Sequence, residues 1–346
     1  MWEGPGFSPA LPFLITLSTD RSRGAQLGAF GHYLTGHFAT LRLEFWALFV
    51  GGLANGVLYG MVAVGYTLVY GVLRLINFAH SEIFMSGGFA GYFVMKAMVG
   101  NSVPSGFASV SFIVIGILVG AFVGAFMATL VERVAYRPLR RRHAPALAYL
   151  ISAIGASYFL YNMAGKEFGR VPISMPQPYI NHPIFHIFNA PVQMYYVIIL
   201  IAGAVMFLTL DRIVAKTKLG RSIRAVAQDA ETASLMGVNI DRTIVLTFIV
   251  GGALGGAAGF LFGMGTGVSN TMGFVPALKA FTAAVLGGIG NLRGAMIGGF
   301  LLGVVESLSV VFVQAAYMDV VAFGILVAVL LFRPTGILGE RLGRAA

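Results

Sequence analysis

Nine apolar runs follow one another along the chain, at 45–73, 81–98, 107–131, 146–164, 193–210, 243–265, 275–290, 294–313 and 317–332. Most approach the ~20 residues a helix needs to cross the hydrocarbon core of a bilayer. This recurrence constrains the fold more than any other feature, because backbone polar groups in hydrocarbon must be satisfied inside the spanning segment itself. Hydrophobic residues make up 58% of the 346 and charged ones 10%, where a soluble domain carries about 25% charged. The expected fold is all-α, a polytopic bundle of eight to ten spans with the lipid bilayer as its solvent. The first run is long enough to be tilted or broken. The seventh, Val275–Gly290, is short and ends in Gly287-Gly288-Ile289-Gly290-Asn291, as a half-helix or re-entrant segment would.

The formal charge of +10 is placed for membrane orientation rather than for nucleic acid. The connections 133–145 (Arg133, Arg137, Arg140, Arg141, Arg142) and 211–242 (Arg212, Lys216, Lys218, Arg221, Arg224, Arg242) are separated by two spans, so they share a side. By the positive-inside rule that side is the cytoplasm. Alternation of nine spans then brings Arg74, Arg293, Arg333, Arg341 and Arg344 to the same side and puts the N-terminus outside.

Residues 1–44 are a mixed extension with Pro5, Pro9, Pro12, Asp20, Arg21 and Arg23. The patch Leu11–Leu17 has no basic run before it and no Ala-x-Ala site after it, so it does not read as a signal peptide. The long external connection 165–192 carries Pro172, Pro176, Pro178, Pro183 and Pro191, which exclude a continuous helix and leave an irregular cap or a flexible loop. His182 and His186 stand four apart, but Pro183 separates them and no third ligand is evident, so no metal site is expected.

Several classes of chemistry are absent. Zero cysteines exclude disulfides and a thiolate nucleophile, and no Gly-x-x-x-x-Gly-Lys-Ser/Thr phosphate loop occurs. If ATP drives this protein, another chain binds it, and no cofactor is expected on this one. Glycines recur every fourth residue at 251, 255, 259, 263 and 267, and again at 116, 120 and 124. Such rows let helices approach closely, either within the chain or at a subunit interface or pore wall.

Two polar stretches stand out. Ala225 to Gly237 reads as a short Ala-rich helix closed by a glycine stop, within the strongly polar connection Arg212–Arg242. A compact helix on one aqueous face, in a chain with little other soluble mass, suits docking of a separate ATPase subunit. The string Arg74-Leu75-Ile76-Asn77-Phe78-Ala79-His80-Ser81-Glu82 is either a plain cytoplasmic turn or a polar break lining a path. Glu306, deep in an apolar run, needs a partner, water or a proton. It leaves open a different class of protein, a stand-alone channel or ion-coupled carrier with Glu306 as its ion site.

Four stretches resemble one family. Tyr70 to His80 is similar to the signature of branched-chain amino acid ABC permeases of the LivH type. Arg224 through Asp229, Glu231, Ala233 and Gly237 resembles that family's coupling loop. Ala284 to Gly294 resembles its Gly-rich segment, and Arg333 to Gly339 its C-terminal ending. The resemblance covers roughly residues 45–340, a permease domain, with 1–44 outside it and 341–346 as a cytoplasmic tail. It implies a multi-pass subunit of a bacterial inner-membrane importer. Its partners would be a second homologous permease, two ATP-binding cassette subunits that hold ATP and magnesium, and an extracytoplasmic solute-binding protein. The cargo would be leucine, isoleucine and valine, or a related small amino acid or an amide such as urea. Carried over, Arg224, Asp229, Glu231, Ala233 and Gly237 would couple to the ATPase. Asn77, His80, Glu82 and Glu306 are the expected translocation-path residues. The loop departs from the general Glu-Ala-Ala importer motif, having Asp229-Ala230-Glu231-Thr232-Ala233.

Overall fold

The computed structural model describes residues 20–99, 106–179, 183–187, 190–333 and 335–339. The chain divides into two units, residues 1–45 and 46–346. The described part of the first is helical, and its helix α1 is assigned over Asp20–Leu73.

The second unit follows the expected sequence of spans. After α1 come α2 (His80–Val99), α3 (Phe107–Val131), α4 (Arg137–Arg141), α5 (Ala146–Glu167) and α6 (Met194–Lys216). Two short helices, α7 (Lys218–Gln228) and α8 (Ala230–Leu235), lead to α9 (Ile240–Thr266), α10 (Phe274–Gly287), α11 (Leu292–Ser309) and α12 (Met318–Phe332). Six segments are long and apolar enough to cross a membrane: Leu41–Leu73, Phe107–Arg141, Ala146–Glu167, Met194–Lys216, Ile240–Thr266 and Leu292–Ser309. The other three expected spans correspond to α2, α10 and α12. With 14 residues, α10 is about 21 Å long, short of the ~30 Å core, as its sequence suggested.

The connection expected at 133–145 begins later than its charges imply. Between α3 and α4 the backbone continues as a π turn, Glu132–Tyr136, in which the Arg137 N–H donates to the Glu132 carbonyl. The wider turn shifts the ladder just before Pro138, which has no N–H to give. Glu132 is fully buried and pairs with Arg140 at 2.9 Å, and Arg140 also reaches Asp241 at the head of α9, again at 2.9 Å.

The loop expected outside also differs in form. Part of it is an antiparallel hairpin, β1 (Pro183–Ile187) with β2 (Ala190–Gln193). Prolines are tolerated there because a two-stranded ribbon consists only of edges. His186 lies exposed on β1, and His182 falls outside the described residues. Ile173 pairs with Val268 through two N–H to carbonyl bonds of 2.8 Å, tying this loop to the chain just past α9.

The glycine rows serve packing within the chain. Gly116, Gly120 and Gly124 are buried, while Val114, Leu118, Phe122, Phe126 and Leu130 on the opposite face of α3 are exposed. A Cβ on Gly256 of α9 would come within 2.2 Å of the Gly120 carbonyl oxygen, and one on Gly259 within 1.9 Å of that of Phe84. Helices α2, α3 and α9 therefore touch backbone to backbone, the contact that replaces hydrophobic burial between helices in lipid. The Gly-rich segment and the C-terminal stretch also meet: Ile337 and Leu338 N–H groups donate to the carbonyls of Leu286 and Gly287.

Candidate functional site

The polar connection 211–242 folds as two helices, where its sequence suggested one. Helix α7 starts earlier, at Lys218, because Thr217 caps it by accepting the Gly220 N–H. Gly220, Ile223 and Val226 form its buried face, a three-residue recurrence that lays one side of a helix against the membrane domain. The Arg224 guanidinium donates to the Val214 carbonyl and so fastens α7 to the end of α6.

Asp229 breaks the run. Its backbone is extended (φ −151°, ψ 114°), and its carboxylate accepts from the N–H groups of Glu231 and Thr232 and from the Thr232 hydroxyl, at 2.9, 3.2 and 2.8 Å. That is an N-cap, and it starts α8. The Thr232 hydroxyl bond, the two backbone donors and the charge of Arg74 hold the Asp229 carboxyl below the usual carboxylate range. Glu231 stands exposed in the first turn, and Ala233 is buried. At the other end Gly237 takes a left-handed conformation (φ 81°). The Gly237 N–H donates to Ser234 and the Val238 N–H to Ala233, the paired bonds that close a helix in a Schellman turn.

The sequence reading missed the two large apolar side chains exposed at the C-terminal end of α8. Leu235 is 88% exposed and Met236 81% exposed. Their signal was present as two large apolar side chains directly before a glycine stop, inside an otherwise polar connection.

The four expected path residues separate into two places. Asn77, His80 and Glu82 lie together where the chain turns from α1 into α2, and all three are buried. The Asn77 side-chain oxygen Oδ1 accepts from the Ala79 N–H (3.1 Å) and the Tyr136 hydroxyl (3.2 Å). His80, 1% exposed, packs on the Tyr66 ring at 4.8 Å between Gly65 and Gly255. Glu82 accepts from the Ser81 and Ser157 hydroxyls at 3.0 and 3.1 Å. These groups join α1, α2, the π turn after α3, α5 and α9 within one chain. Tyr66, Tyr136 and Ser157 belong to this set and carry no local motif. Beside the break, a small cavity is lined by Tyr66, Thr67, Tyr70, Ile76, Phe281, Ala284 and Ile289.

Glu306 sits elsewhere. Its carboxylate meets the Lys279 ammonium at 2.6 Å, and Lys279 also meets Asp319 at 2.7 Å and lies over the Tyr59 ring at 5.7 Å. The set links α10, α11 and α12 and neutralises the buried acid, which is what an acid at that depth requires. No group of three or more His, Cys, Asp or Glu placed to hold a metal occurs among the described residues.

Comparison with known proteins gives the family. The model of the family described as "Branched-chain amino acid transport system / permease component" matches residues 48–330. The chain is 39% identical to the high-affinity branched-chain amino acid transport system permease protein LivH of Escherichia coli (strain K12), over 84% of this chain and 94% of that protein. It is 42% identical to BraD, the corresponding permease protein of Pseudomonas aeruginosa, over the same shares. More distantly, it is 30% identical to the autoinducer 2 import system permease protein LsrC of Klebsiella pneumoniae, over 54% of each chain. No solved structure matches. With the family model covering most of the chain and the bundle built as a multi-pass inner-membrane permease, this protein belongs to the branched-chain amino acid transport system permease family.

Proposed function

We propose that this chain is the membrane-spanning subunit of an ATP-binding-cassette importer for branched-chain amino acids, and that α7–α8 is where the ATP-hydrolysing subunits take hold. Two such subunits carrying ATP and magnesium, a second permease chain and an external solute-binding protein complete the assembly. The observation that carries the reading is the pair Leu235 and Met236. They project from a capped helix on the arginine-rich side, where apolar side chains gain most from a protein partner. Asp229, expected to touch the ATPase, is engaged in capping α8, so its contribution is to shape the knob. Glu231 is free to add a charge contact at its rim.

Closure of the ATP-hydrolysing subunits would displace α7–α8 and, with it, the ends of α6 and α9 that flank it. Packed backbone seams such as α3–α9 support discrete arrangements rather than continuous bending, which gives a path open to one side at a time. The tight packing of the polar break fits a closed state of one chain, with the path formed against the second permease. The pairing of Glu306 with Lys279 argues against an autonomous ion-coupled carrier that uses this acid.

The test is the double variant Leu235→Asp/Met236→Asp, expressed with the transporter's own ATP-hydrolysing subunits. Membrane insertion and thermal stability should stay near wild type, while co-purification of those subunits and leucine uptake fall at least 100-fold. Normal co-purification and uptake would remove the docking assignment.

A further inference from the structure

We infer that Arg74 is the strut through which the α7–α8 element acts on the polar break that starts α2; this rests on reading α7–α8 as the docking element. Helix α1 ends at Leu73, and the next residue, Arg74, takes the left-handed conformation with φ 54°. Its N–H closes the last turn onto the Tyr70 carbonyl at 2.6 Å. Glycine would serve this backbone without the steric penalty a Cβ incurs, so what arginine adds must come from its side chain. A non-glycine residue held in this region is worth asking about.

The side chain answers. The Arg74 guanidinium donates from Nη2 to the carbonyls of Ala227 at 3.2 Å and Gln228 at 3.4 Å, more than 150 positions along the chain. These are the last two residues of α7, where helix carbonyls lack partners in the next turn and carry the negative end of the dipole. A cation there is matched to its acceptors, and it lands on the hinge between α7 and α8, next to Asp229.

Arg74 also opens the six-residue connection 74–79. That connection delivers Asn77 to Tyr136, and it ends where His80 begins α2 against Tyr66 and the α9 glycines. A shift of the α7–α8 hinge is thereby passed to the first turn of α2 through one side chain and six residues. Among the described side-chain hydrogen bonds, Arg74 makes the ones that join this connection to α7. The residue is a positioning residue and touches no cargo.

The experiment compares Arg74→Gly and Arg74→Lys with wild type in the complete transporter in proteoliposomes, measuring ATP hydrolysis and radiolabelled leucine uptake in the same vesicles. Glycine keeps the backbone conformation and removes the strut. The expected result is normal assembly, ATP hydrolysis within about twofold of wild type, and uptake per ATP lowered about tenfold, with lysine restoring part of it through a single ammonium contact. Unchanged uptake per ATP in Arg74→Gly would overturn the inference. So would a proportional loss of hydrolysis and uptake, or a failure to assemble, since either makes Arg74 a structural residue only. The Leu235→Asp/Met236→Asp variant in the same preparation separates the underlying reading: if that pair assembles and transports normally, the docking assignment has failed, whatever Arg74 does.

Discussion

The break at Asn77–Glu82 and the α7–α8 element are both polar interruptions between apolar helices, yet they are built in opposite senses. In the first, hydrogen-bonding side chains point inward and meet one another: Asn77 with Tyr136, Glu82 with Ser81 and Ser157, His80 with the Tyr66 ring. In the second, polar side chains are used up along the backbone, with Thr217, Asp229 and Asn239 each capping a helix. Among the large apolar side chains there, Leu235 and Met236 reach solvent. One region makes a buried polar core among the helices, and the other an exposed apolar handle. In the first, side chains of the same chain cover the polar groups; in the second, the proposed docking would cover the apolar ones with another subunit.

This contrast predicts that substitutions in the membrane interior act on folding, and those in the handle on coupling. The largest effect is expected from Gly259→Val, whose added atoms would meet the Phe84 carbonyl and force α2 off α9. Overpacking typically costs ~1–3 kcal/mol, and here the atom met is backbone that cannot swing aside, so the cost should exceed that range and appear as loss of folded protein in a detergent thermal melt; a well-folded Gly259→Val would mean that α2 and α9 are not seated as described.

Next comes Lys279→Met, which strands Glu306 in the interior. Breaking a buried pair costs about 3–5 kcal/mol, while removing both members with apolar residues is close to neutral. Lys279→Met should therefore melt well below wild type, and Lys279→Met/Glu306→Leu should recover most of the difference. If the double variant melts no higher than the single one, the pair is not what holds α10 to α11.

In the handle the effects turn functional. Gly237→Val forces a β-branched residue into a left-handed turn, a strain of roughly 1–2 kcal/mol that tilts α8 without touching the spans. Uptake should drop about tenfold while the melt of the membrane domain is unchanged. A parallel loss of thermal stability would place Gly237 in the folded core and erase the contrast.

The smallest effect concerns Asp229. Its carboxyl is held below its ordinary value by the Thr232 hydroxyl first and then by backbone donors. A depressed carboxyl stabilises the fold fully above its unfolded value of about 3.9, and that contribution is lost as pH falls through the lower, folded value. Amide exchange at Glu231 and Thr232 should show constant protection from pH 7 to 5 and lose it only below about pH 4. Asp229→Ala should raise exchange at those amides several-fold at neutral pH, and Asp229→Asn, which can still cap, should restore protection. Protection in Asp229→Ala equal to wild type would show that the cap does not hold α8.

How much of this was legible in the sequence follows from which forces act locally. Span length against bilayer thickness and the glycine stop at 237 are local, and both could be read. So was the short seventh run, ended by its glycines. Splitting of the Ala225–Gly237 run was not read: alanines favour helix on either side of Asp229, and the capping preference of an aspartate shows only once the backbone has turned. The hairpin at 183–193 was hidden by prolines that argue against a helix without proposing strands. Pairs such as Lys279–Glu306 and Arg74–Ala227 depend on which helices become neighbours, and no periodicity encodes that. Asn77, His80 and Glu82 stand out in the sequence as polar residues between apolar runs, and all three are buried. Their partners Tyr136 and Ser157 lie far away in sequence, so the contacts they make were not legible.

The central claim is that this chain conducts but does not power transport. It is tested most directly by leucine uptake into proteoliposomes containing this permease chain, with and without its ATP-hydrolysing subunits and ATP. The account predicts uptake above the leak of empty vesicles only in the complete assembly with hydrolysable ATP. Concentrative uptake by the permease chain alone, driven by an ion gradient, would contradict it.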